Sequence, residues 1–319
     1  MSEADGSPAG DGWERKVLEK VALAAIAEQR AARRWGVVFK SLILLYLFVV
    51  LFVGIGWIKR GDYKTPGKHT ALVELRGVIA ADSQASADNV TSGLQAAFKD
   101  SNTVGVVLRI NSPGGSPVQA GYINDEIRRL RGLHPDIPIY AVVEDICASG
   151  GYYVAVAADK IFVDKASIVG SIGVVMDGFG FTGTMEKLGV ERRALASGEN
   201  KKFLDPFSPL VPAQKEYAER MLSEIHQQFI AVVRNGRGKR LKESPDTFSG
   251  LIWVGQKSVE LGLADGLGSL DSVARDVIKA EDVVDFTPRE NVAERLARKF
   301  GMTLAETLLR SSSGGAQLR

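Results

Sequence analysis

Cysteine occurs once in the 319 residues, at Cys147. No intramolecular disulfide can form, and zinc sites built on several cysteines are excluded. Histidine is almost as scarce, with only His69, His134 and His226, which narrows the catalytic chemistries open to the chain. No excess of one charge is present: 40 basic side chains face 38 acidic ones. Nine of the basic and six of the acidic residues fall within positions 1–60, so the rest of the chain is close to neutral. A near-neutral body argues against general nucleic-acid binding, which needs a basic surface. A hydrophobic share of 45% and a charged share of 24% exclude a wholly disordered chain.

What the sequence does have is one long apolar run. Ser41 to Ile58 is 18 residues without a charge, reading SLILLYLFVVLFVGIGWI. At ~1.5 Å per residue a helix of that length covers ~27 Å, close to the hydrocarbon thickness of a bilayer. Trp35 and Trp57 stand where interfacial aromatics belong, and Lys40 is placed to snorkel. Residues 35–60 are therefore expected to be a transmembrane anchor. The flanking charges are balanced nearby, but Arg15, Lys16 and Lys20 tip the total toward the amino side. The positive-inside rule then puts the amino end in the cytoplasm and the body outside the inner membrane. Residues 1–34 form a separate extension. Its first 12 residues are expected to be disordered, and Trp13 to Arg34 to be helical. That helix either lies on the membrane face or continues the span.

Beyond residue 70 strands alternate with helices. Expected strands are 70–80, Val104 to Ile110, Ile137 to Val143, Lys160 to Val163, Ile168 to Val175 and Val190 to Leu195. Expected helices are Ala87 to Lys99, Val118 to Arg131, Cys147 to Ala158 and Ala213 to Arg234, with shorter ones at Ser258 to Leu261 and Leu270 to Lys279. The near-continuous apolar run VGVVLRI is the pattern of a strand buried on both faces. The alternation implies an α/β fold with a largely parallel sheet. A polar, Gly-rich tail closes the chain from Ser311.

Two glycine-rich turns follow apolar strands. In Asn111-Ser112-Pro113-Gly114-Gly115-Ser116, backbone N–H groups at a helix start suit an oxyanion or phosphate. The spacing matches neither Gly-x-Gly-x-x-Gly nor a P-loop, so a nucleotide site is not supported. An ordinary tight turn explains it equally well. In Ala148-Ser149-Gly150-Gly151 a serine sits at a strand-to-helix junction, with the next N–H placed for an oxyanion hole. A helix-capping serine with glycines for close packing is the competing reading. A serine nucleophile needs a base. None of the three histidines has a persuasive relation to Ser149. A lysine base requires a pKa lowered by ~3 units from ~10.4, hence burial, and spacing alone does not choose among the lysines.

Taken together, LRINSPGGS (Leu108–Ser116), ASGGYYVAVAADKI (Ala148–Ile161), GSIGVV (Gly170–Val175) and GLADGLGSLD (Gly262–Asp271) resemble the S49 serine peptidases. The likeness is to the short, single-repeat bacterial signal peptide peptidase A branch, over roughly residues 70–280. The resemblance implies a Clp-protease/crotonase-like fold of stacked ββα units. It also implies a Ser-Lys dyad, which agrees with the shortage of histidine. Carried over residue by residue, Ser149 is the nucleophile and Lys201 of Ser197-Gly198-Glu199-Asn200-Lys201 is the base. Lys202 is the neighbouring decoy. Ser171 supports the base, and Gly114 and Gly150 form the oxyanion hole. No metal, nucleotide or other cofactor is implied.

The implied domains are the extension 1–34, the anchor 35–60, a peptidase domain 61–285, and a C-terminal helix and tail 286–319. The implied partners are signal peptides, other membrane-derived segments and the bilayer. A ring of identical chains, an octamer with active sites between subunits, is implied as well. Two alternatives remain: an S49 peptidase acting on a specific membrane protein such as a stomatin-like partner, and a crotonase-like acyl-CoA enzyme.

Overall fold

The computed structural model describes residues 11–54 and 67–288. The apolar run in the middle of the chain becomes β2 (Thr103–Ser112), flanked in parallel by β1 (His69–Arg76) and β3 (Ile139–Ala148). Its side chains alternate across the sheet. Val106, Leu108 and Ile110 enter the main core, where α2 (Ala87–Lys99) contributes Val90, Leu94 and Phe98 and α3 (Pro117–Leu133) contributes Ile123 and Ile127. Val107 joins Leu72, Val142 and Val273 in a smaller cluster on the other face. Burial on both faces is what the unbroken apolar pattern requires. Each such side chain contributes about 1.5–3 kcal/mol relative to exposure.

Helix starts follow local chemistry. Ser86 and Ser116 each accept a backbone N–H of the following turn, from Asn89 and Gln119, and Pro117 occupies the first position of α3. After β3 come the short α4 (Gly150–Ala155), β4 (Lys160–Val163) and β5 (Ile168–Gly170). The lower half of β3, Tyr140–Val142, pairs with β4, while Ile146–Ala148 pairs with β5. A single strand thus serves two neighbours, and the sheet divides between Val142 and Ile146, just before the Ser149 turn.

The chain then leaves the sheet. Residues 171–211 contain only one short helix, α5 (Thr182–Lys187). The long α6 (Pro212–Arg237) returns, followed by β6 (Ile252–Val254), α7 (Gly255–Glu260), β7 (Gly266–Leu267), the single turn α8 (Leu270–Ser272) and β8 (Val283–Asp285). The strand order is β6-β5-β3-β2-β1-β8, with β4 beside the lower part of β3 and β7 beyond β4. All pairings are parallel except β5 with β6. The end of α6 is latched by Arg237, 1% exposed, whose guanidinium binds both oxygens of Asp265 at 2.8 and 3.0 Å and the Gly262 carbonyl at 2.8 Å.

Two expected strands differ. The strand begun at Ile168 stops at Gly170, because Ser171 turns to φ +51° and directs its N–H to Leu251 O. Residues 190–195 have no regular structure: they lie off the sheet and are exposed except for the half-buried Ala194, so they bury no face that strand pairing would serve. The small-residue helix begins at Gly150 rather than Cys147, because β3 continues through Ala148. The tail from Ser311, the first ten residues and the expected C-terminal helix lie outside the described residues.

Helix α1 (Asp11–Gly54) is continuous. Its 44 residues extend ~66 Å at ~1.5 Å each, so residues 13–34 and the start of the apolar run share one axis. Among the described residues no helix is long and apolar enough to cross a membrane. The expected span reaches Ile58, whereas described side chains stop at Val50 and backbone at Gly54.

Candidate active site

The two glycine-rich turns meet. Pairing of Ser112 with Cys147 brings the ends of β2 and β3 level, so the chain segments after each strand emerge side by side. Ser149 follows Ala148 with φ +51° and ψ −122°, a conformation that few L-residues adopt. Its N–H donates to Gly170 O and its carbonyl accepts the Tyr153 N–H, both at 2.9 Å. The strained residue is therefore held by β5 on one side and α4 on the other.

Gly114 packs directly against this elbow. A methyl group on Gly114 would lie 2.6 Å from the Gly150 nitrogen, 2.8 Å from Ala148 O and 2.8 Å from the Ser149 Cβ. Only a residue without a side chain allows that approach. The opposing turn is fixed by the bridge to Ile79, whose N–H donates to Gly114 O and whose carbonyl accepts from Ser116 N–H, both at 2.8 Å.

The amides divide between structure and the cavity. The Gly114 N–H is engaged, donating to Ser112 Oγ at 3.1 Å. The Gly115 nitrogen lies 3.3 Å from where a Gly150 methyl would stand. Gly115 and Gly150 both line the cavity, and among the described residues neither amide donates a hydrogen bond. The resemblance implies Gly114 as the oxyanion-hole glycine with the Gly150 N–H as its partner. In the structure Gly114 supplies the close approach, and the amide beside Gly150 is that of Gly115.

The cavity measures about 750 Å³. Ser149, Gly115, Gly150 and Ser171 line it, with apolar walls from Val118, Tyr153, Met176, Leu222, Ile225 and Phe229. The walls were not singled out from sequence. Their signal was present: Leu222, Ile225 and Phe229 are spaced i, i+3, i+7 on α6, and Val118, Tyr122 and Asp125 i, i+4, i+7 on α3. Burial pushes the phenol of Tyr153 up, and the charge of Asp125 adds to that while Arg128 opposes it. Burial also pushes the thiol of Cys147 far up, so the lone cysteine stays protonated and inert.

Among the described residues no lysine or histidine lines the Ser149 cavity. Lys201 is exposed, lies in the irregular segment between β5 and α6, and does not line the cavity. Its backbone N–H donates to Gly198 O, and the neighbouring Lys202 extends its ammonium to Ala194 O. None of the three histidines lines the cavity: His69 and His134 lie on other parts of the fold, and His226 contacts Ile172 O at 3.1 Å. The structure thus brings together Ser149, Gly114, Gly150 and Ser171, and leaves Lys201 apart from them.

The segment carrying Lys201 is ordered by its own contacts. Arg192 binds Asp205 at 2.9 Å and lies over the Phe207 ring, which stacks on Phe181. The Ser208 hydroxyl, opposed by desolvation and helped by the Phe207 amide and Arg192, holds the Asp205 carboxyl below its usual range. The same segment exposes Val175, Phe179, Leu188 and Leu195.

The model of peptidase family S49 matches residues 132–284. A putative signal peptide peptidase SppA of Enterococcus faecium is 30% identical over 228 residues, covering 69% of this chain and 66% of that protein. A putative protease of Synechocystis is 30% identical over 202 residues, covering 63% of this chain and 70% of that protein. A protein named Na(+)/H(+) antiporter NhaA in Brucella melitensis is 46% identical over 182 residues, which are 57% of this chain and only 25% of that protein.

Proposed function

The chain belongs to peptidase family S49, and we propose that it is a membrane-tethered serine endopeptidase degrading remnant signal peptides and other membrane-derived segments. The observation that carries this reading is the Ser149 elbow at φ +51°, flanked in one cavity by the unengaged amides of Gly115 and Gly150. In the proposed reaction a neutral Lys201 takes the proton of the Ser149 hydroxyl, and the oxygen attacks the scissile carbonyl. The two amides receive the developing oxyanion. Lys201 then gives its proton to the leaving amine, and water hydrolyses the ester with the same base. Ser171, in the same cavity, orients the lysine. The fold reading that goes with this is the Clp-protease/crotonase-like stack of ββα units.

Lys201 comes from a neighbouring copy in this proposal. Support comes from its absence from its own chain's cavity and from the apolar side chains exposed around it. Apolar surface of that kind marks an interface. A head-to-tail contact of this type closes into a ring, for which an octamer is the proposal. The anchor is proposed for residues 35–60, with the amino end cytoplasmic and the catalytic body outside the inner membrane. Its support is α1, where successive apolar residues from Leu42 to Val50 are all exposed, between 49% and 71%. A helix apolar on every side belongs in lipid or a core.

The test is to co-assemble Ser149→Ala chains with Lys201→Ala chains, each inactive alone. Mixed rings recover a fraction of wild-type peptide cleavage, from interfaces that pair an intact serine with an intact lysine. No recovery in verified mixed rings would refute the shared site.

A further inference from the structure

Among the residues lining the Ser149 cavity, Asp125 alone carries a charge. It stands on α3 one face-turn beyond Val118 and Tyr122, so the three present one stripe to the cavity. No hydrogen bond or ion pair engages its carboxylate among the described residues. The nearest cation in sequence, Arg128, donates its Nε to Asn124 Oδ1 at 2.7 Å and lines a different cavity, although its charge, like that of Asp125, reaches the Tyr153 phenol. Asn124 is itself pinned by donating to Tyr153 O at 2.6 Å, which fixes that arrangement. The carboxylate is therefore a single negative charge at the edge of walls that are otherwise apolar or uncharged.

Resting on the peptidase reading, we propose that Asp125 is a specificity-determining residue that selects substrates with a lysine or arginine beside an apolar stretch. The chemistry of the two groups is complementary. A long basic side chain lays its methylene stem along Val118 and Tyr122 and brings its charged head to the carboxylate. Asp125, Val118 and Tyr122 are all open to solvent, so the pairing has the modest strength of a surface ion pair. The adjoining apolar walls from α6 receive the residues that follow. Signal peptides carry this pattern, a cationic segment leading into an apolar one. The pairing of Asp125 with the cationic segment sets which bond of the apolar segment reaches Ser149.

The experiment uses the full chain in detergent and apolar peptides in which one position, moved along the sequence, is Lys, norleucine or Glu. Cleavage is followed by mass spectrometry, and binding by fluorescence anisotropy with Ser149→Ala protein. At one position Lys is preferred over norleucine by about threefold in kcat/KM and in affinity, a preference that salt weakens. Asp125→Asn removes that preference, and Asp125→Lys reverses it in favour of Glu. Asp125 is exposed on a helix, so both variants fold, which circular dichroism checks. Indifference to charge at every position, or an unchanged preference in Asp125→Lys, overturns the inference. Binding that keeps the Lys preference without any cleavage leaves the role of Asp125 standing and removes the peptidase reading instead.

Discussion

Replacing Gly114 by alanine tests whether the meeting of the two turns builds the site. The added methyl would lie 2.6 Å from the Gly150 nitrogen and 2.8 Å from the Ser149 Cβ, about 0.8 Å inside normal contact. Its φ of +99° adds strain for any residue with a Cβ, about 1–2 kcal/mol. The atoms in the way are backbone and the nucleophile's own Cβ, so relief comes only by moving the elbow. A displacement approaching 1 Å at a reacting group costs about 10²-fold in rate. Gly114→Ala is therefore expected to lower the rate of Ser149 labelling by a fluorophosphonate about 10²-fold. Thermal unfolding should show a loss of about 2–3 kcal/mol. Gly132→Ala is the matched control. It lies on α3 away from the Ser149 cavity, with nothing within 4 Å of the new methyl, and should gain about 0.5 kcal/mol. Labelling of Gly114→Ala within threefold of wild type would show that the close approach does not position the nucleophile.

Lys201→Ala and Lys201→Arg should both lose peptide cleavage, because arginine keeps its proton, while Lys202→Ala keeps most of it; steady-state assays of the three variants decide the register. At Asp265 burial pushes the carboxyl up, but the hydrogen bonds and charge of Arg237, the Ile161 amide and Arg240 outweigh it and hold the group below its usual range. Stability from a lowered carboxylate is fully present above its unfolded value of about 3.9 and lost as pH falls through the folded value. Asp265→Ala strands a guanidinium that is 1% exposed and should cost about 3–5 kcal/mol near neutrality, a gap that narrows below about pH 4 in denaturation measured across pH. A chain beginning at Lys64 should cleave short peptides as the full chain does but act poorly on peptides embedded in vesicles, because tethering raises local concentration; equal rates on vesicles would remove the anchor's role.

The sequence by itself determined the parallel sheet and its main helices. Apolar runs such as VGVVLRI and stripes at helical spacing report burial directly, and burial is what local patterning encodes. It also marked Ser149 as a candidate between strand and helix, because the two glycines that follow carry no Cβ to bar a close approach of another segment. What it did not contain was the end of β5 at Gly170, the absence of a strand at 190–195 and the choice of amides. Each of these depends on contacts that a local pattern does not show: Leu251 O for Ser171, the solvent around 190–195, and Ser112 Oγ for the Gly114 N–H. Tertiary structure alone decided that Asp125 faces the nucleophile's cavity and that Lys201 does not. The physical reason is that a side chain's neighbours across a cavity are set by how α3, α4 and α6 pack, and residue spacing within one element carries no record of the element opposite.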